Sequence, residues 1–183
     1  MMYRLVYKGT FSIPEADDAC VITLTDMAET RALSIVLPKE MANEIKLHEK
    51  KADVTKNHLV DVFAQVMKDE DMTHYRIEFE GVQDRGFKAK LVNMESGNSY
   101  ELVSETAVLL SLATGFEMCT SLEVLQKFST PFNKEVMSVA LPIMSLPDSL
   151  LQKALEKAVE EENYEGASFI RDEMKRREEK NKK

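Results

Sequence analysis

The sequence predicts an α+β fold: a mixed sheet with an antiparallel meander packed by helices, followed by a C-terminal αα-hairpin. Three observations predict it. Short β-branched and aromatic runs alternate with helix-period segments but never settle into regular βαβ repetition. Three alternating runs between Tyr75 and Val103 are separated only by turn residues, the pattern of a meander. Beyond residue 147 the pattern becomes two amphipathic helices joined by a tight turn. Residues 1–130 therefore read as one α+β domain, 131–147 as a linker and 148–183 as the hairpin.

Taken in order, Tyr3–Tyr7 and Cys20–Thr25 are strands rich in β-branched and aromatic residues, and Ser12–Asp18, punctuated by Pro and Asp, reads as a loop between them. Ala32–Leu37 is a third strand, stopped by Pro38, whose fixed φ suits the first turn of a helix from about Lys39 to His48. Met41, Ile45 and His48 share a face of that helix. For the longer helix that follows, the side-chain oxygen of Thr55 or Asn57 offers an N-cap, and Leu59, Val62, Phe63 and Val66 form one apolar stripe. Tyr75, Ile77 and Phe79 then alternate with Arg76, Glu78 and Glu80, and Phe87, Ala89 and Leu91 alternate with Lys88 and Lys90. Tyr100–Val103 completes the meander. Ser104 is placed to cap a helix whose all-round apolarity (Ala107 to Ala113) predicts burial, and Gly115 to end it. Phe116–Thr120 is a short strand, and Ser121 caps the helix after it.

Pro131, Pro142 and Pro147, with scattered Ser and Met, suggest an extended linker, although Val139, Leu141 and Ile143 are available to dock on the core. Asp148 or Ser149 opens a helix with Leu151, Ala154, Leu155 and Ala158 on one face. Asn163 caps a second helix carrying Tyr164, Ala167, Ile170 and Met174. Each stripe needs a partner, so self-association or docking to a similar hairpin is expected.

Composition narrows the function. The 183 residues carry 24 Lys+Arg against 32 Asp+Glu, a net charge of −8, and residues 1–130 alone hold 14 basic and 21 acidic side chains. Tight coating of nucleic acid by phosphate neutralisation is thereby excluded, and any contact with it must come through a local patch or metal ions. The longest mostly apolar run, Ala107–Phe116, is far short of the ~20 residues that span a bilayer. Cys20 and Cys119, without CxxC spacing, argue against a disulfide scaffold or a Cys-based zinc site. With no leader-like apolar run after Met1-Met2-Tyr3-Arg4-Leu5, a cytoplasmic setting is expected.

Chemistry-bearing motifs are sparse. There is no Gly-rich phosphate loop, no GxSxG and no HExxH. His48 continues a helix stripe and reads as a partly buried structural residue. His58, in a helix's first turn beside Asn57, suits a surface or a catalytic role. Asp69-Glu70-Asp71 reads as a solvated loop, with Mg²⁺ binding as the alternative. Ser104-Glu105 reads either as a cap with an acid favoured by the helix dipole, or as a carboxylate oriented where anions and metal-bound phosphates are welcome.

Three stretches carry a resemblance to the bifunctional nuclease family, bacterial proteins acting on DNA and RNA: Leu33–Ala42, Val54–Phe63 and Leu102–Leu110, within a similarity running from about Val6 to Lys127. The resemblance implies a compact α+β domain that tends to dimerise, with a phosphodiesterase site. It carries Thr55, Asp61 and Ser104 over unchanged and places Glu105 where the family has Asp. Catalytic roles are thus expected for Glu105, Ser104, Asp61 and Thr55, with Glu105 and Asp61 holding Mg²⁺ or Mn²⁺. The family's His, Asp and Arg fall on Lys56, Asn57 and Leu102, and Leu cannot replace the bidentate donor of an Arg at a phosphate. A catalytically weak or inactive adaptor is therefore the alternative.

Leu151–Lys175 resembles the UVR motif of the excision-repair proteins UvrB and UvrC. It keeps the Asn163-Tyr164-Glu165 turn and the run Ile170-Arg171-Asp172-Glu173-Met174-Lys175. That resemblance implies a helical hairpin binding a protein partner through residues 148–183. The expected partners are thus DNA or RNA as substrate, a protein at the hairpin and a second copy of the chain, but no membrane.

Overall fold

The computed structural model describes residues 1–13, 16–50, 56–83, 86–133, 138–139, 143, 146 and 148–181. Its elements are β1 (Met2–Ile13), β2 (Ala16–Asp26), β3 (Arg31–Pro38), α1 (Lys39–Glu49), α2 (Leu59–Asp69), β4 (Tyr75–Gln83), β5 (Gly86–Asn93), β6 (Ser99–Val103), α3 (Ser104–Thr114), β7 (Met118–Ser121), α4 (Leu122–Phe128), β8 (Thr130–Asn133), β9 (Ser138–Val139), α5 (Asp148–Glu160) and α6 (Tyr164–Asn181). The strands bond in the order β6-β5-β4-β7-β1-β2-β3-β8-β9. All neighbours are antiparallel except β4 and β7, whose parallel pairing joins the meander β4-β5-β6 to the rest and makes the sheet mixed. Among the described residues no helix is long and apolar enough to cross a membrane.

The loop expected over Ser12–Asp18 is much shorter. β1 runs to Ile13 and β2 begins at Ala16, with these two residues opposite each other. Phe11 opposite Val21 and Ser12 opposite Cys20 extend the ladder toward the turn, and cross-strand pairing outweighs the turn preference of the Asp residues. In β4 a register shift between Phe79 and Gly81 bends the strand over α4. Gly81 sits there at φ +126, and a Cβ would meet the Phe128 ring at 3.2 Å.

Alternation along the strands separates two cores. Cys20, Ile22 and Leu24 of β2, with Leu33, Ile35 and Leu37 of β3, join Ile45 of α1 and Ala107–Leu110 of α3 in the main core. Ala19 and Val36, out of phase with that set, pack with Ile13 on a second cluster built by the hairpin: Leu150, Leu151, Ala158, Ala167 and Ile170. The hairpin's apolar stripe therefore finds cover within the chain, on strands β1–β3. Arg177 ties α6 to the start of α5 and to the residues before it, donating to the carbonyls of Leu146 (2.7 Å) and Ile143 (3.3 Å) and to Asp148 (2.9 Å) and Glu173 (2.8 Å). The sheet also reaches into the segment read as linker from residue 131, since Pro131 pairs with Arg31 as part of β8. Leu141 and most of that segment lie outside the described residues.

Two helix starts differ from expectation. The N-cap of α2 is His58 and that of α3 is Val103, neither with a side-chain cap bond. The hydroxyl of Ser104, inside the first turn of α3, instead donates to Glu105. Ser121 and Asn163 cap as expected, accepting from the amides of Val124 and Gly166, and Gly115 closes α3 at φ +79.

Candidate metal centre

Helices α1 and α2 lie consecutively in the chain, and their facing ends bring three ligand-type side chains together. Glu44 and His48 stand one turn apart on α1, so they share a face. His58 holds extended φ, ψ at the head of α2, its carbonyl accepting from the amides of Asp61 and Val62 while its ring reaches back to α1. Its Nδ1 lies 2.5 Å from Oε1 of Glu44, and Nδ1 of His48 lies 3.6 Å from the same oxygen. One ligand atom from each of Glu44, His48 and His58 falls within 4.8 Å of the others, so the three form a group able to hold a metal ion.

Asp61 completes the arrangement from behind. Its Oδ2 is 2.5 Å from Nε2 of His48, while Nδ1 of the same ring faces the Glu44 carbonyl at 2.9 Å. With both ring nitrogens facing oxygens, Nδ1 can ligate an ion only by giving up the Glu44 carbonyl, and Asp61 on Nε2 would then fix the tautomer and plane of the ring. The His48 ring is buried, with 2% of its side chain exposed, whereas His58 is 40% exposed and faces solvent. Asp61 itself sits in the first turn of α2, where the helix dipole favours an acid. Two imidazoles and a carboxylate form a mixed nitrogen–oxygen donor set, unlike the all-oxygen sites typical of Mg²⁺.

The residues singled out from sequence divide between two places. Asp61 joins His48 and lines a hollow with Lys56. Ser104 and Glu105 sit together at the start of α3, lining a cleft of about 490 Å³ with Glu80, Lys88 and Glu101. Thr55 lies outside the described residues. Between the two places lies a larger hollow of about 780 Å³, with Glu44 and His58 in its wall; it shares Leu102 with the cleft of Glu105. Glu44, His48 and His58 were not singled out as ligands from sequence. Their signal was nonetheless present: an acid and a His four apart on a predicted helix, then a His and an Asp three apart at the head of the next.

Two family models match the chain. The bifunctional nuclease domain matches residues 22–133, which cover the end of β2, β3 to β8, α1 to α4 and the whole cluster. The chain belongs to the bifunctional nuclease domain family. The UvrB/UvrC motif follows at residues 149–180, coincident with the α5–α6 hairpin. A search of curated proteins finds no match to the chain. The nuclease domain thus carries its acid–imidazole cluster at the facing ends of α1 and α2, and the UVR hairpin rests on strands β1–β3.

Proposed function

We propose that this chain hydrolyses phosphodiester bonds in DNA and RNA at the Glu44–His48–His58 cluster. The observation that carries the reading is that cluster's closeness, with Asp61 behind His48, inside a bifunctional nuclease domain. A bound divalent cation, Mn²⁺ or Mg²⁺, would supply Lewis-acid stabilisation of charge on phosphoryl oxygens. Glu44 and the two imidazoles are the residues that would hold it, and their carboxylate offsets part of its charge. Asp61 positions His48 through Nε2. Ser104 and Glu105, one wall away, form a second polar station at the start of α3, where the carboxylates of Glu80, Glu101 and Glu105 outnumber Lys88 and disfavour an uncompensated phosphate.

The test is cleavage of fluorescent RNA and DNA oligomers by the full chain with Mn²⁺ or Mg²⁺, comparing wild type with Glu44→Gln, His58→Ala and Glu105→Ala. Glu44→Gln and His58→Ala are expected to lose at least ~10-fold in activity, the scale of perturbing a metal site. An inert wild type, or variants as active as wild type, overturns the reading.

A second reading, an adaptor without activity, is favoured by the outward-facing rings of the UVR hairpin: Tyr164 is 68% exposed and Phe169 60%. In either case the hairpin is the surface for a protein partner. Tyr164→Ala with Phe169→Ala should abolish partner recovery, and recovery at wild-type levels sinks that role. A cytoplasmic setting fits the two buried, unpaired cysteines, Cys20 and Cys119.

A further inference from the structure

The 780 Å³ hollow shares Glu44 and His58 with the cluster at one end, and beyond them its size and lining are those of a ligand site. It lies between α2, α3 and the outer strands β4–β6, and its wall is apolar apart from Glu44 and His58 at one end, Thr106 and two tyrosines. Helix α2 turns Leu59, Val60, Phe63 and Met67 toward this side without burying most of them: among its residues only Met67 is buried, and Phe63 is 42% exposed. Across the hollow, Tyr100 on β6 is 53% exposed. Tyr75, also in the wall, is stacked on His74 and on Phe116 with centroids 5.9 Å away in each case, which holds its ring in place. Open aromatic faces thus stand directly beyond the Glu44–His58 pair.

We propose that this hollow is a nucleobase subsite. It seats unpaired bases flanking the phosphate held at the cluster, with Phe63 and Tyr100 as the stacking faces. The inference rests on the nuclease reading for the position of the phosphate and adds how the strand is held. Continuity decides the occupant: Glu44 and His58 belong both to the cluster and to the hollow, so a strand bound at one enters the other. Charge points the same way. A chain of net charge −8 cannot derive its grip from phosphate neutralisation, and base–aromatic stacking is the main alternative source. Stacking accepts every base, since each has a π face, so the subsite selects for exposed bases and not for sequence.

The chain has no Trp and five Tyr, two of them in the hollow, so tyrosine fluorescence reports occupancy. The full chain is titrated with a nuclease-resistant phosphorothioate hexamer of thymidine, and with a backbone of equal length lacking bases. Quenching by the thymidine hexamer alone is expected. Phe63→Leu and Tyr100→Leu should each weaken it about tenfold and raise KM for cleavage while leaving kcat near wild type, with Phe63→Tyr restoring binding. Equal binding of the base-free backbone, or Leu variants that bind like wild type, overturns the subsite. Leu variants that instead convert a dimer to a monomer in sedimentation, with hexamer binding unchanged, also overturn it and assign the face to a second copy. Base-dependent quenching without any cleavage sinks the nuclease reading and leaves the subsite standing.

Discussion

Replacing Arg177 with Met cuts the network that fastens the C-terminal hairpin while keeping most of the side-chain volume. The guanidinium is 8% exposed and donates to Glu173, 7% exposed, to Asp148 and to the carbonyls of Leu146 and Ile143. Breaking a buried ion pair costs about 3–5 kcal/mol because the partner charge stays behind in a poor solvent. Two features hold the expected cost near the lower end. Glu173 retains Arg176, which pairs with both its oxygens at 2.8 Å, and the half-exposed Asp148 can rehydrate. The two carbonyls lose a charged donor, and hydrogen bonds to charged groups are worth about 1.5–3 kcal/mol each. A net loss of about 3 kcal/mol is therefore expected, or a fall in Tm of about 10 °C for a chain of this length. Urea denaturation followed by circular dichroism measures it, and a double-mutant cycle with Glu173→Gln should show coupling. A loss below ~1 kcal/mol, the size of an exposed pair, would refute the view that Arg177 is the hairpin's fastening.

Three further outcomes are expected. The hydrogen bond from Arg176, with Arg177 beside it, holds the Glu173 carboxyl below its ordinary 4.5. Asp26 lies below its ordinary 3.8, because hydrogen bonds from Arg31 and Thr30 outweigh its burial. Both are depressed in the folded chain, so the stability they give is full above those ordinary values and is lost as pH falls through the folded ones. Acid unfolding should thus begin below about pH 4.5, and Glu173→Gln should flatten the profile; an unchanged profile contradicts this. Gly166→Ala ordinarily gains up to about 1 kcal/mol in a helix, but here the new Cβ would stand 2.7 Å from the capping Asn163 side chain, so no gain is expected. With Asn163→Ala already in place the same change should stabilise, and calorimetry showing equal effects in both backgrounds would refute the clash. Asp61→Asn should lower metal-dependent cleavage about 10- to 100-fold through His48, with kinetics at wild-type level as the contrary result.

The sheet, the meander and the hairpin were legible because their patterns are local: period-2 alternation at Tyr75–Leu91, caps at Ser121 and Asn163, the stop at Gly115. The shorter β1–β2 turn was not, because pairing of Phe11 with Val21 is a tertiary gain that overrides the turn residues nearby. Nor was the exposure of α2. Its stripe of Leu59, Val62, Phe63 and Val66 has the period of a buried face, yet Leu59 is 84% exposed. Periodicity shows that a face is apolar and does not say whether its own chain covers it. The site behaved likewise. Asp61 was named from sequence, but Glu44 and His58 lie 14 residues apart and meet only because α1 and α2 bring their ends together.

The most direct test of the metal centre is titration of the full chain with Mn²⁺, followed by calorimetry and by the Mn²⁺ paramagnetic signal, for wild type, Glu44→Gln and His48→Gln. One ion per chain is expected in the wild type, with affinity reduced at least ~10-fold in each variant. No ion bound by the wild type, or full affinity retained in both variants, would contradict it.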